Sequence, residues 1–280
     1  MSNHFHVLVA VPCRPETLPG EDWLIEHMHR SYGKATAMML AETLKQHRNA
    51  GAHEAAQKIV DSWFARMWDV SAFMKTLKQR FTQWFNKHHG RKGNLWEDRF
   101  RSVLVEGNDA LAVMAAYIDL NSVRAGIVED PADYRLSSYG AAMGGDKAAR
   151  EGLREVVRVA ERGQEQRLKG NGWLEMYRTK LFGKAEEVRD GDTGRVVRRG
   201  MSPDKARAVL AEGGKLRPWE MLRCRLRYMT GGVALGSKCF VESLFNAERW
   251  RFAADRKQGA KTIRGGDAVW NGLRVLRAPT

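Results

Sequence analysis

Cysteine is scarce in this 280-residue sequence: Cys13, Cys224 and Cys239 stand far apart, with no Cys-x-x-Cys spacing. That excludes a disulfide framework and a cysteine zinc site, and it fits a reducing cytoplasm. Apolar runs are short as well. None approaches the ~18 residues a membrane-spanning helix needs, and the first residues form neither a signal peptide nor a basic transit sequence. There is no phosphate-binding P-loop, dinucleotide fingerprint or nucleophile elbow, which removes three large enzyme classes. No repeat recurs at a period of 20–50 residues.

What the sequence does have is positive charge: 47 Lys and Arg against 33 Asp and Glu, a net of +14. The excess is uneven. Residues 1–150 hold 19 basic and 17 acidic side chains and residues 151–280 hold 28 and 16, so the halves carry +2 and +12. A basic excess confined to one half points to a polyanionic partner, nucleic acid before membrane. The length suits two domains, each able to bury a core. The division is expected near residue 145, with a helical insertion over about 13–70 and a basic, mostly helical extension over 146–280.

The opening stretch, Asn3-His4-Phe5-His6-Val7-Leu8-Val9-Ala10-Val11, has the alternation of a β-strand. His4 and His6 then share one face above an apolar underside of Phe5, Val7 and Val9. Two imidazoles at i and i+2 of a rigid strand can reach one divalent ion; they equally suit the polar side of an edge strand. Pro12, Pro15 and Pro19-Gly20 close the segment. Apolar residues from Trp23 to Phe64 recur at helical steps, with a break at Asn49-Ala50-Gly51. His27 and His29 in this part sit roughly 200° apart on a helix, which rules them out as a chelating pair.

Asp69 or Ser71 can cap a helix to about Asn86, with Phe73, Leu77, Phe81, Trp84 and Phe85 on one side and Lys75, Lys78, Arg80 and Lys87 around it. Leu95–Glu106 alternates as a strand carrying Arg99 and Arg101. Asn108-Asp109 starts a further helix that runs to about Arg124 and stops at Gly126. Leu111, Met114, Ala115 and Ile118 are its packing stripe, while Tyr117 and Asn121 lie four residues apart on a common face. Taken singly, the tyrosine reads as a core residue and the asparagine as a cap.

Residues 141–170 read as a boundary between domains. Beyond them, helix starts at Ser202-Pro203 and Pro218, a Thr230-Gly231-Gly232 break and a Ser237-capped helix are compatible with a helix-turn-helix. A basic tail with Arg249, Arg251, Arg256 and Lys257 follows.

Three motifs in order carry a family resemblance: Asn3-His4-Phe5-His6-Val7-Leu8-Val9, then Phe81–Asn86 with Gly93-Asn94-Leu95-Trp96-Glu97-Asp98-Arg99-Phe100, then Tyr117-Ile118-Asp119-Leu120-Asn121-Ser122-Val123-Arg124-Ala125-Gly126. Together they resemble the single-tyrosine His-hydrophobic-His transposases, particularly the REP-associated tyrosine transposases. The match spans about residues 1–12 and 71–140. Ser122 stands where the family most often has proline. The family's first strand and helix are not found ahead of the His-x-His strand, so the chain is expected to be an N-terminally truncated copy or to continue upstream of Met1.

The resemblance implies an α+β fold, a ferredoxin-like antiparallel sheet with helices. It implies metal-dependent nicking and strand transfer on single-stranded or hairpin DNA through a 5′-phosphotyrosine. Tyr117 would be the nucleophile, and His4, His6 and Asn121 would hold Mg²⁺ or Mn²⁺. Lys75, Lys78, Arg99, Arg101, Arg124, Arg256 and Lys257 would contact DNA. The family works in the bacterial cytoplasm at the nucleoid, as monomers or as homodimers. Two rivals remain: an inactive, domesticated relative that binds hairpins, and a replication initiator or relaxase, whose chemistry is similar.

Overall fold

Among the described residues, side chains that accept hydrogen bonds from orphan backbone amides set five of the α-helix starts. The computed structural model describes residues 4–162, 165–182, 222, 227–263 and 270–279. The chain divides into two compact units, Val9–Phe100 and Met1–Leu8 with Arg101–Thr280.

Within Val9–Phe100, helices α1 (Glu21–Tyr32), α2 (Lys34–Asn49) and α3 (His53–Phe64) bury Leu24, Met28, Leu40, Leu44, Val60 and Phe64 against one another. Full burial of each such side chain contributes about 1.5–3 kcal/mol. Helix α4 (Val70–His88) follows, capped by Asp69, whose carboxylate accepts from the Ser71 and Ala72 amides at 2.7 and 3.2 Å. Of its nineteen residues only Met74 is fully buried. Trp96 is pinned along α4 by its indole N–H, which donates to the Lys78 carbonyl and the Thr82 hydroxyl.

The second unit begins with His4–Leu8 and resumes at strand β1 (Leu104–Val105). Helix α5 (Asp109–Asp119) is capped by Asn108, which accepts from the Ala110 amide at 2.9 Å. Leu120 breaks it, the turn α6 (Asn121–Arg124) continues it, and Gly126 ends it at φ +68°, a conformation that costs glycine least. Helices α7 (Ser138–Met143), α8 (Lys147–Ala160) and α9 (Gly172–Phe182) pack around α5, with Ser137 and Asp146 as caps of α7 and α8. Further along come α10 (Arg227–Gly231), β2 (Gly232–Gly236), α11 (Lys238–Ala247), β3 (Ala260–Thr262) and β4 (Arg274–Arg277).

The four strands form a mixed sheet in the order β1-β2-β4-β3, with β1 parallel to β2 and the other pairs antiparallel. Glu106 ties its edge to the helices. One carboxylate oxygen accepts from the Ser237 amide at 2.6 Å and from the Asn108 side-chain amide, also at 2.6 Å, while the other accepts from the Ser237 hydroxyl at 3.1 Å. A Cβ at Gly236 would meet Glu106 at 2.8 Å and the Phe240 ring at 2.5 Å, so this close approach needs glycine.

The architecture is α+β, as expected at that level, and several local expectations are corrected. Residues 4–15 carry no strand: their alternation is present but no neighbouring strand pairs with them. Of the strand expected over 95–106, only Leu104–Val105 pairs, with Ala234 and Leu235 of β2. Within 141–170, α8 packs into the core through Leu153 and Val157, and the division expected at 145 falls between α7 and α8, which pack closely. The break at Gly231-Gly232 opens strand β2, paired on both sides, so α10 and α11 do not form a helix-turn-helix. The helix starts expected at Ser202 and Pro218 lie outside the described residues. Among the described residues no helix is long and apolar enough to cross a membrane.

Candidate active site

Helix α5 is alanine-rich, and that is why it can be buried on almost every side: Ala110, Ala112, Ala115 and Ala116 let neighbouring helices approach closely. Met114 and Ala115 of the expected stripe are buried, Leu111 and Ile118 only partly. Tyr117 and Asp119 are buried too, at 3% and 2% exposure.

Arg124 closes over the tyrosine. Its guanidinium carbon lies 3.7 Å from the centre of the Tyr117 ring. The same group donates to the Tyr117 carbonyl at 2.7 Å, to the Asn121 side-chain oxygen at 3.2 Å and to the Leu222 carbonyl at 2.8 Å. A stacked and hydrogen-bonded arginine of this kind holds both the ring and the amide in place.

His6 meets this group from the other end of the chain. With Phe5, Asp119, Asn121, Ser137 and Ser138 it lines a cleft of about 120 Å³. Burial first, then the neighbouring His4 ring and the Arg124 guanidinium, hold the His6 imidazole below its ordinary range. The His4 and His6 rings stand edge to face with centres 5.3 Å apart. The segment therefore keeps its two histidines side by side without forming a strand.

The donor chemistry fits a small divalent ion. Two adjacent imidazoles, one of them biased toward the neutral form that ligates, supply nitrogen. Asn121 adds an amide oxygen, which also accepts from Arg124. The nearby guanidinium opposes a bare cation, so the arrangement suits a metal together with an anionic phosphate rather than a metal alone. Among the described residues no group of three or more His, Cys, Asp or Glu is placed to hold an ion.

Asp119 is the residue that pattern reading passed over. Its carboxylate accepts from the Tyr177 hydroxyl at 2.5 Å and from the Tyr139 amide at 3.1 Å, joining α5 to α9 and α7. Burial pushes its carboxyl up, against the opposing pull of those hydrogen bonds and of bonds from Ser137 and Ser138. Burial, with Asp119 beside it, likewise raises the Tyr177 phenol well above its usual value. The signal for Asp119 was there: one acidic side chain within an otherwise apolar helix needs a partner. Nothing near Tyr177 in the sequence marked it as that partner.

The other expected contacts are scattered. Lys75, Lys78 and Arg99 belong to the Val9–Phe100 unit; Arg101, Arg124, Arg256 and Lys257 belong with the histidines and the tyrosine. Lys78 donates to the Asp98 carbonyl at 2.8 Å and lies over Trp96. Arg256 donates to the Gln258, Gly259 and Arg277 carbonyls and stacks on Phe252, so its charge braces a loop. Lys75, Arg99, Arg101 and Lys257 are exposed. No protein-family model, curated protein or solved structure matches the chain.

Proposed function

We propose that the chain is a DNA nickase and strand transferase of the single-tyrosine His-x-His kind, built on a ferredoxin-like core, acting on single-stranded or hairpin DNA in the cytoplasm. One observation carries this reading: His6, from the opening segment, lines a cleft with Asn121, and Arg124 joins Asn121 to the Tyr117 ring beside it. His4 and His6, with Asn121, would hold Mg²⁺ or Mn²⁺, which when bound neutralises charge developing on a scissile phosphate.

The remaining work falls to the chain's own groups. A phosphate entering the cleft competes for Arg124, because a guanidinium binds phosphate oxygens more strongly than neutral carbonyls. Drawing Arg124 away uncovers the Tyr117 ring. The Tyr117 oxygen then attacks phosphorus as the bond to the 3′ oxygen breaks; the phenol loses its proton to solvent and the departing oxygen gains one. The product is a 5′-phosphotyrosine and a free 3′-hydroxyl, and reversal onto another strand needs no ATP because the phosphodiester's energy is kept.

The test incubates the full chain with Mn²⁺ and labelled single-stranded DNA containing its flanking palindrome, then looks for a covalent adduct by denaturing electrophoresis. An adduct that disappears in Tyr117→Phe supports the assignment, and one that survives removes Tyr117 from it. The burial of Tyr117 favours a second reading, a hairpin-binding protein that no longer cuts; retarded hairpin DNA with no adduct under any divalent ion is its signature.

A further inference from the structure

Helix α4 presents an apolar stripe to solvent. Phe73, Leu77, Phe81 and Trp84 are 46%, 38%, 43% and 51% exposed, values far from those of a packed core. From Phe73 to Trp84 the stripe runs about 16 Å along the helix. Its ring centres form a ladder: Trp96 to Phe81 5.7 Å, Phe81 to Trp84 5.6 Å, Trp84 to His88 4.6 Å.

Along α4 and the turn after it the charge is of one sign, with Asp69 before it and Glu97 and Asp98 after it. Residues 70–96 contain Lys75, Lys78, Arg80, Lys87, Arg91 and Lys92 and no Asp or Glu. These cations border the rings rather than avoid them. By helical periodicity Arg80 and Lys87 flank the stripe on one side. Lys78 lies over Trp96 at 5.1 Å and Arg91 over Phe85 at 6.0 Å.

We infer that this face is a stacking platform for single-stranded DNA, bases on the rings and phosphates on the bordering cations. Sequence-tolerant single-strand binding combines those two elements. The choice of DNA over RNA rests on the function proposed above; the platform itself does not. A second copy of the chain is disfavoured as occupant because a symmetric contact would bring the same uncompensated cations together. An anionic membrane is disfavoured because an interfacial helix keeps its cations on the face opposite its apolar one, whereas here they adjoin the rings.

The experiment measures fluorescence anisotropy of labelled oligo(dT) with the full chain in EDTA, so that no metal-dependent cleavage contributes. Trp84→Leu and Phe81→Leu keep apolar bulk and remove rings; each is expected to weaken binding roughly tenfold, with Trp84→Phe recovering most of it. Circular dichroism checks that α4 persists in every variant. Lys87→Gln is expected to lower the salt slope by about 0.7, one phosphate contact fewer. Wild-type chain that binds oligo(dT) in EDTA but forms no adduct with Mn²⁺ counts against the nickase reading alone. Unchanged oligo(dT) affinity in the Trp84→Leu/Phe81→Leu double variant overturns the platform even if nicking persists. Tighter binding of oligo(rU) than oligo(dT), binding to phosphatidylserine vesicles with none to oligo(dT), or self-association abolished by Trp84→Leu each overturn the assignment to single-stranded DNA.

Discussion

Helices α4 and α5 were read from the same kind of periodicity, and the structure treats them oppositely. The aromatic α4 buries one residue of nineteen, while the alanine-rich α5, with a weaker stripe, buries eight of eleven. A stripe marks where a helix can be covered; it does not say what covers it. Small side chains decided the matter for α5, because only they allow neighbours on several sides at once. Uncompensated charge beside large rings left α4 facing water.

That contrast can be broken most forcefully at the hinge of the buried helix. Leu120→Ala removes a fully buried side chain between α5 and α6 and should cost about 2–5 kcal/mol in urea unfolding. Arg124→Ala comes next. It leaves the Tyr117 and Leu222 carbonyls without their donor and should cost about 1–3 kcal/mol, with increased exposure of the Tyr117 ring in tyrosine fluorescence or nitration.

Asp119 gives a subtler signature. Burial raises its carboxyl in the folded chain above the unfolded value, so the folded state holds the extra proton. Its contribution is therefore best below the ordinary aspartate range and is lost as pH rises through the raised folded value. Asp119→Asn should flatten that part of the stability–pH curve measured by chemical denaturation. His6 runs the other way: its lowered value means stability is lost as pH falls below the ordinary histidine range. The smallest effect belongs to the open helix. Phe73→Ser should cost only about 1 kcal/mol, since a ring left 46% exposed gives up only part of its burial; a much larger loss there would mean α4 is covered after all.

Local chemistry was the legible part of this fold. Asp69, Asn108, Ser237 and Gly126 each carry out in the structure the start or stop that their residue type implies. The common face of Tyr117 and Asn121 followed from helical spacing; the place of Arg124 over the ring did not. What the sequence could not reveal was pairing. Alternation over 4–11 and 95–106 describes a ribbon with two faces, but a strand exists only where another chain segment supplies its hydrogen bonds, and that segment can be anywhere. The same holds for Asp119: its need for a partner was visible, and Tyr177 was not. Gly231-Gly232 shows the limit from the other side, since glycine permits a turn without requiring one, and here the chain goes straight on into a sheet.

Glu106 couples two helix starts, at Asn108 and at Ser237, the second 131 positions from Glu106 itself. During synthesis, then, the ribosome delivers the tyrosine-bearing helix long before the serine that completes its anchorage. Until that late segment emerges, the carboxylate faces water on one side and the opening turn of α5 is free to fray. A chain cut short after α9 should keep the helix yet hold its phenol less firmly, because both the Leu222 carbonyl that holds Arg124 and the Ser237 that holds Glu106 come later.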